Sequence, residues 1–322
     1  MTTLADDTGR ETAPPHQRAS KARLSDRARA ERSLGWKLAG PAFIIMLAVT
    51  AYPIINALWL SLYNYRLTDP GARSFVFLRN YVVILTDSLW WAAVGITVII
   101  TLVTVAVEFV LGMALAMVMN KIVIPRRSLR TIILIPYAII TVVSAFSWKY
   151  AFAVDSGYAN HWLHTVTFGA FPVTYDWFGG TWSSLAIICL SEIWKTTPFM
   201  SLLLLAGLAQ VDSALDEAAK VDGATFWQRL YKVTLPNMKA AIMVALLFRT
   251  LDAFRIFDNV FIMTGGSQNT STVSLVAYNQ TISRAEIGMG SAVSVLLFLM
   301  VVGICVVFVK SFKVDLAQVK GD

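Results

Sequence analysis

Six long apolar runs, 38–62, 89–119, 129–154, 182–208, 238–263 and 290–309, constrain this chain more than anything else in it. A helix needs about 20 predominantly apolar residues to cross the hydrocarbon core of a bilayer, and each run is long enough. A backbone in lipid must satisfy its own hydrogen bonds, which leaves helices or closed barrels. The alternating segments of a barrel are absent, so the pattern predicts an all-α integral membrane protein with six spans. Charged residues make up 15% of the chain against about 25% in soluble domains, which excludes a water-soluble fold. Pro53, Pro136 and Pro198 fall inside the runs, where a missing donor kinks or breaks a helix.

Lys and Arg set the orientation. With the N-terminus inside, the cytoplasmic segments carry eight before residue 38, four at 121–130, four at 210–239 and three from 310 onward. The outer loops carry Arg66, Arg73, Arg79 and Arg284. This positive-inside bias places both termini and the 210–237 loop in the cytoplasm. The implied organisation is a basic, partly disordered tail over 1–37, a membrane domain over 38–312 and a cytoplasmic tail over 313–322. The net charge of +7 then reads as a topology signal and a juxtamembrane polybasic segment rather than as nucleic-acid binding. Cys189 and Cys305 sit in spans as small hydrophobes, and His16, His161 and His164 form no ligand set, so no metal site is expected.

The segment "EAAKVDGATFWQRLYKVTLP", Glu217 to Pro236, is the most polar stretch between two apolar runs. Ser213 with Asp216 reads as a capping box opening a short helix, which Gly223 ends. Thr225 with Gln228 reads as a second capping box. Phe226, Trp227, Leu230 and Tyr231 then share one face, and Pro236 suits the first turn of the fifth span. Such a helix–turn–helix with aromatic residues on show is expected to be a docking surface for a cytoplasmic protein.

Charges within spans are candidates for function, since each costs about 2.5–3.5 kcal/mol at a helix centre. Glu108 lies in the second span. Glu192 and Lys195, three apart in the fourth, are placed to pair on one helix face. Arg249, Asp252, Arg255 and Asp258 recur every third residue with alternating sign in the fifth; on a continuous helix they fan over half the circumference and neighbours can neutralise each other. Thr196 and Pro198 make a polar, interrupted patch, tolerated at depth only where it is buried or lines a cavity. The outer loop 155–180, with Tyr158, Trp162, Phe168, Phe171, Tyr175 and Trp177 but no Lys or Arg, fits either an interfacial aromatic belt or a contact with an extracytoplasmic protein.

The spacing of Glu217, Ala218, Ala219, Gly223, Val233, Leu235 and Pro236 resembles the signature loop of permease subunits of binding-protein-dependent ABC importers. With Asp222 before the glycine, and with "FRTLDAFRIFDNVFIMTGG" at 248–266, the chain is similar to the carbohydrate branch, whose members include maltose and glycerol phosphate permeases. The resemblance covers about residues 38–312. It implies the six-span core of a type I importer, with Glu217, Ala218, Ala219, Asp222, Gly223, Phe226, Trp227 and Pro236 forming a coupling helix that sits on an ATPase subunit. It also implies a second permease, two ATPase subunits, an extracytoplasmic solute-binding protein and a sugar, a disaccharide such as trehalose. ATP and Mg would bind the ATPase partner, because this chain has no phosphate-loop motif. Mapped residue by residue, sugar contacts fall on Glu192, Lys195, Thr196 and Phe199, and on Asp252, Phe254, Arg255 and Phe257. Here the sequence departs from the amide-rich pattern of maltose-type sites. Glu108, Arg249 and Asp258 complete an intramembrane charge network. The alternatives are an ion- or proton-coupled secondary transporter carrying protons on Glu108, Glu192 or Asp252, and a membrane enzyme, for which no nucleophile–base–metal constellation exists.

Overall fold

A computed structural model of the chain describes residues 26–121 and 131–312. The first 25 residues of the expected basic tail over 1–37, residues 122–130 and the expected tail 313–322 lie outside the described residues. The chain divides after Ile55 into two units. The first ends within helix α1, Asp26–Leu60, which holds Pro41 and Pro53 without interruption. The rest of the chain forms the second unit.

Four helices among the described residues are long and apolar enough to cross a membrane. They are α1, α3 (Ser88–Lys121), α7 (Thr181–Leu208) and α14 (Ile287–Phe312). Short α2, Arg79–Thr86, precedes α3, and short α6, Ala159–Val166, precedes α7. Pro198 lies within α7, which continues through it. The other two expected spans are broken. The third contains α4, Ile135–Ala138, then extended backbone at Ile139 and Ile140, then α5, Thr141–Ala151. Pro136 starts α4 at the position where its missing N–H is unneeded. The fifth consists of α11, Lys239–Ala253, an irregular stretch, and α12, Asp258–Met263. The backbone freed there is satisfied within the protein: Thr272 Oγ1 donates to the Ile256 carbonyl at 3.2 Å.

α3 and α7 form the centre of the second unit. Gly112 allows their close approach, since a Cβ there would meet Met200 Cγ at 2.8 Å. One apolar cluster gathers Met113, Ala116, Met119, Met200, Leu204, Met238 and Ala245. A second gathers Ile100, Ala145, Ile187, Ile188, Val260 and Leu275. On α7 the polar residues Glu192 and Thr196 fall between the two. α3 presents them a buried polar face of Thr97, Thr101, Thr104 and Glu108. The spacing of three and four residues keeps that set on one side of the helix. Thr97 and Thr101 each donate to the carbonyl four residues back at 2.7 Å, so the hydroxyls need no water.

Among the described residues, the segment between the first two spans holds the one departure from all-α structure. Strands β1, Tyr63–Arg66, and β2, Asp69–Phe75, form an antiparallel hairpin. Arg66 pairs with Glu286 at 2.5 Å, and Arg73 lies 4.0 Å over the Tyr63 ring. No alternation of apolar residues announces this hairpin.

Candidate functional site: a polar cleft and an exposed aromatic loop

Arg249 organises the centre of the membrane region. It is fully buried on α11 and faces three carboxylates. Its Nε and Nη2 donate to Glu108 Oε2 and Oε1 at 2.6 and 2.9 Å. Nη2 also approaches Thr196 Oγ1 at 3.1 Å and Glu192 Oε1 at 3.4 Å, and Nη1 donates to Asp252. Thr196 Oγ1 lies 2.6 Å from both Glu108 Oε1 and the Glu192 carbonyl. Asn259 Nδ2 donates to Glu192 Oε2 at 2.7 Å. One planar guanidinium fork thus ties α3, α7 and α11, the geometry for which arginine suits better than lysine.

Glu192, Thr196, Asp252 and Asn259 carry this network to the wall of a cleft of about 420 Å³. Six of the expected sugar-path residues line it: Glu192, Lys195, Thr196, Asp252, Arg255 and Phe257. Both broken spans border it, the third through Tyr137 and Thr141 and the fifth through Ile256 and Phe257. Irregular backbone at membrane depth is tolerated where it lines such a cavity. Phe199 does not line the cleft but stacks on Tyr137, with ring centres 5.1 Å apart. Lys195 Nζ lies 5.5 Å from the Tyr137 ring centre.

Several expectations need correction. Phe254 is buried on another side, lining an apolar groove with Thr250, Met300 and Gly303, so it offers the cleft no face. Glu192 and Lys195 make no ion pair: their 60° offset on α7 sends Glu192 to Arg249 and Lys195 to Tyr137. Of the alternating charges of the fifth span, Arg249 and Asp252 pair at i, i+3 as expected. The helix ends at Ala253, and Arg255 and Asp258 line the cleft instead of continuing the series. Asp258 therefore lines the cavity instead of joining the buried network. Tyr137, Thr141, Ile256 and Asn259 were not singled out by the sequence; a lone amide within an apolar run was the available signal for Asn259.

The loop between the fourth and fifth spans follows its local signals with one exception. The first helix, α8, spans Ser213–Val221, and its cap is Asp212, whose side chain accepts from Ala214 N. Ser213 is the first helical residue, so the expected Ser213–Asp216 box is not formed. Gly223 has φ +77°. Ala224 N donates to Ala219 O and Gly223 N to Lys220 O at 2.9 and 3.0 Å, the paired bonds of a left-handed helix terminus. The Thr225–Gln228 box has both bonds and opens α9, Phe226–Arg229. A π turn over Leu230–Thr234 and the short α10, Leu235–Asn237, lead into α11, with Pro236 in the first turn of α10.

Asp216 clips the two helices, meeting Lys220 Nζ at 2.6 Å and Arg229 Nε at 2.9 Å. Its hydrogen bond from Lys220 holds the carboxyl below the usual aspartate range. Leu230 is buried beneath, whereas Trp227 is 62% and Tyr231 63% exposed, with rings stacked at 6.0 Å. Phe226 packs edge-on against Trp227, and Lys121 Nζ lies 5.4 Å from its ring centre. Glu217, Ala218 and Asp222 are exposed around the same loop. Stacked aromatic rings held in water on a capped scaffold are suited to a partner's apolar pocket.

Residues 108–312 match the family described as binding-protein-dependent transport system inner membrane component. Over 283 residues the chain is 51% identical to the trehalose transport system permease protein SugA of Mycobacterium tuberculosis, covering 88% of this chain and 90% of that protein. It is 36% identical to the trehalose/maltose transport system permease protein MalF of Thermococcus litoralis, covering 87% and 94%. In fold it is similar to a chain of a bacterial ABC transporter involved in import of the acidic polysaccharide alginate, with TM-score 0.73, 20% identity and coverage of 89% and 99%.

Proposed function

Because this chain belongs to the binding-protein-dependent transport system inner membrane components, we propose that it forms one half of the translocation pore of an importer for trehalose or a closely related disaccharide. It is a transmembrane permease subunit of a sugar ABC importer, which sets aside the ion-coupled reading. The observation that carries the substrate proposal is the cleft bordered by both broken spans. It combines charged and amide groups with the Tyr137 ring, which Phe199 backs by stacking, the mixture that recognises a sugar. Its volume falls in the range of small-ligand sites, about 300–1,000 Å³. Asn259 Oδ1, buried and without a hydrogen-bond partner, supplies a free acceptor at the wall for a sugar hydroxyl.

In this reading the sugar arrives from a solute-binding protein, and a second permease completes the pore. Two ATPase subunits bind ATP and Mg, and one receives the loop through Glu217, Ala218, Ala219, Asp222, Gly223, Phe226 and Trp227. Closure of the ATPases moves the loop, and α11, reached through Pro236 and α10, carries that motion to Arg249 and the cleft wall. The positive-inside bias supports cytoplasmic termini. The test is uptake of radiolabelled trehalose by cells lacking this chain, before and after its restoration. Restored uptake that requires the cognate ATPase is expected. Uptake unchanged by deletion of the chain would overturn the substrate proposal.

A further inference from the structure

A second cavity, of about 260 Å³, lies between the N-terminal end of α3 and the turns flanking α13, Val273–Tyr278. It shares no lining residue with the cleft. Its polar lining includes three amides, Asn269, Asn279 and Gln280, with the carboxylate of Asp87 and the guanidinium of Arg284. The formal charges of that pair cancel, which suits a neutral ligand better than an ion. Amides offer donors and acceptors side by side, as sugar hydroxyls do. The buried side chains of Ile84, Trp90 and Val293 add apolar lining, so the cavity mixes apolar wall with a few convergent polar groups.

The backbone around it is unusual in two places. Gly265, Gly266, Gln268 and Asn269 all have positive φ, and for Gln268 and Asn269 this is a conformation that side-chain-bearing residues seldom adopt. The Thr264–Thr270 hydroxyl pair, at 2.7 Å, holds that loop closed. Asn279 begins a π turn, Asn279–Ser283, which places Asn279 and Gln280 on the cavity. Left-handed backbone and π turns both recur at binding sites, where the surrounding structure sustains the strain.

We infer that this cavity is a second saccharide subsite, one sugar ring wide, separate from the cleft and built from Asn269, Asn279, Gln280, Asp87 and Arg284. The inference rests on the reading of this chain as a sugar permease. The positive-inside topology puts the subsite on the outer side, where it would hold sugar before the cleft opens to it.

The experiment uses the complete transporter in phospholipid nanodiscs, without ATP or binding protein, with Cys189 and Cys305 of this chain replaced by alanine. N279C reports the cavity. I282C, at a residue 61% exposed and outside the lining, is the reference. Trehalose is the probe, and the readout is the rate of maleimide labelling. Occupancy slows labelling by roughly 1 + [L]/Kd, about tenfold at ten times Kd. Slowing of N279C with I282C unchanged is the expected result. No slowing of N279C, or equal slowing of both, overturns the subsite. Q280C carries the same comparison if N279C does not assemble. Trehalose uptake by the unlabelled wild-type transporter is measured alongside. Intact uptake without protection rejects the subsite alone, whereas absent uptake rejects the substrate reading on which it rests.

Discussion

Arg249 on α11 and Glu108 on α3 form a two-point ion pair between fully buried side chains 141 residues apart in sequence. Arg249 is the only cation in direct contact with Glu108 among the described residues, whereas Arg249 also reaches Glu192 and Asp252. The pair is therefore asymmetric: loss of the arginine strands two buried carboxylates, and loss of Glu108 leaves the arginine with two others.

R249M should cost more stability than E108Q. Breaking a buried pair by removing one member costs about 3–5 kcal/mol, and R249M leaves both Glu108 and Glu192 uncompensated. E108Q keeps hydrogen-bonding capacity and should cost less. The double variant R249M/E108Q should recover part of the R249M loss. Thermal stability of the purified permease in detergent measures this; an E108Q loss equal to that of R249M would remove Arg249 from the centre of the network.

D252N should weaken sugar recognition more than folding. The Asp252 side chain is 70% exposed into the cleft, although it pairs with Arg249. The expected result is near-normal membrane abundance with a several-fold higher half-saturation for uptake. F254A should do the reverse, since Phe254 is buried away from the cleft and its truncation costs about 3–5 kcal/mol. Uptake titrations paired with quantitative immunoblots separate the two.

G223V should abolish uptake while leaving insertion intact. Nothing lies within 4 Å of a Cβ at this position, so the penalty comes from backbone alone, roughly 1–2 kcal/mol for a left-handed residue. G223N should retain more uptake, because Asn tolerates that conformation better. Equal uptake by both variants would mean that the turn does not govern coupling.

W227A and F226A should weaken retention of the ATPase subunit without unfolding the permease. Both rings are exposed, and an aromatic anchor at an interface centre is commonly worth at least about 2 kcal/mol, or roughly 30-fold in affinity. L230A should instead loosen the loop itself, because Leu230 is buried. Co-purification and limited proteolysis distinguish lost contact from lost structure.

The Asp216 clip should hold throughout the physiological pH range. Its carboxyl is held below the usual aspartate value, first by the Lys220 hydrogen bond. A lowered folded value means its contribution is complete above the unfolded value, about 3.9, and is lost as pH falls through the folded one. D216N should therefore mimic strongly acidic conditions and raise protease sensitivity between α8 and α9 at neutral pH.

Much of this protein is legible locally. Six apolar runs dictate spans because lipid gives an unsatisfied backbone no partner, and the bias of Lys and Arg points to their orientation. The local structure of the 212–237 loop is legible almost residue by residue. Gly223 and the Thr225–Gln228 box act over three or four residues, a range that sequence spacing captures. Even the failure at Ser213 is a shift of one residue to Asp212.

Tertiary structure decided the pairing of charges and the breaks in two spans. Spacing of three along the fifth run made Asp252, Arg255 and Asp258 look like successive partners, but that inference needs a continuous helix. The helix stops at Ala253, Arg249 finds Glu108 and Glu192 on other spans, and Arg255 and Asp258 line a cleft. Coulomb attraction follows distance in space, and a guanidinium reaching across 141 residues leaves no mark in local periodicity. That is why the sequence alone could mark Glu108, Glu192, Arg249 and Asp252 as polar groups at depth, while only the packing of α3, α7 and α11 determined which of them meet and which line the path.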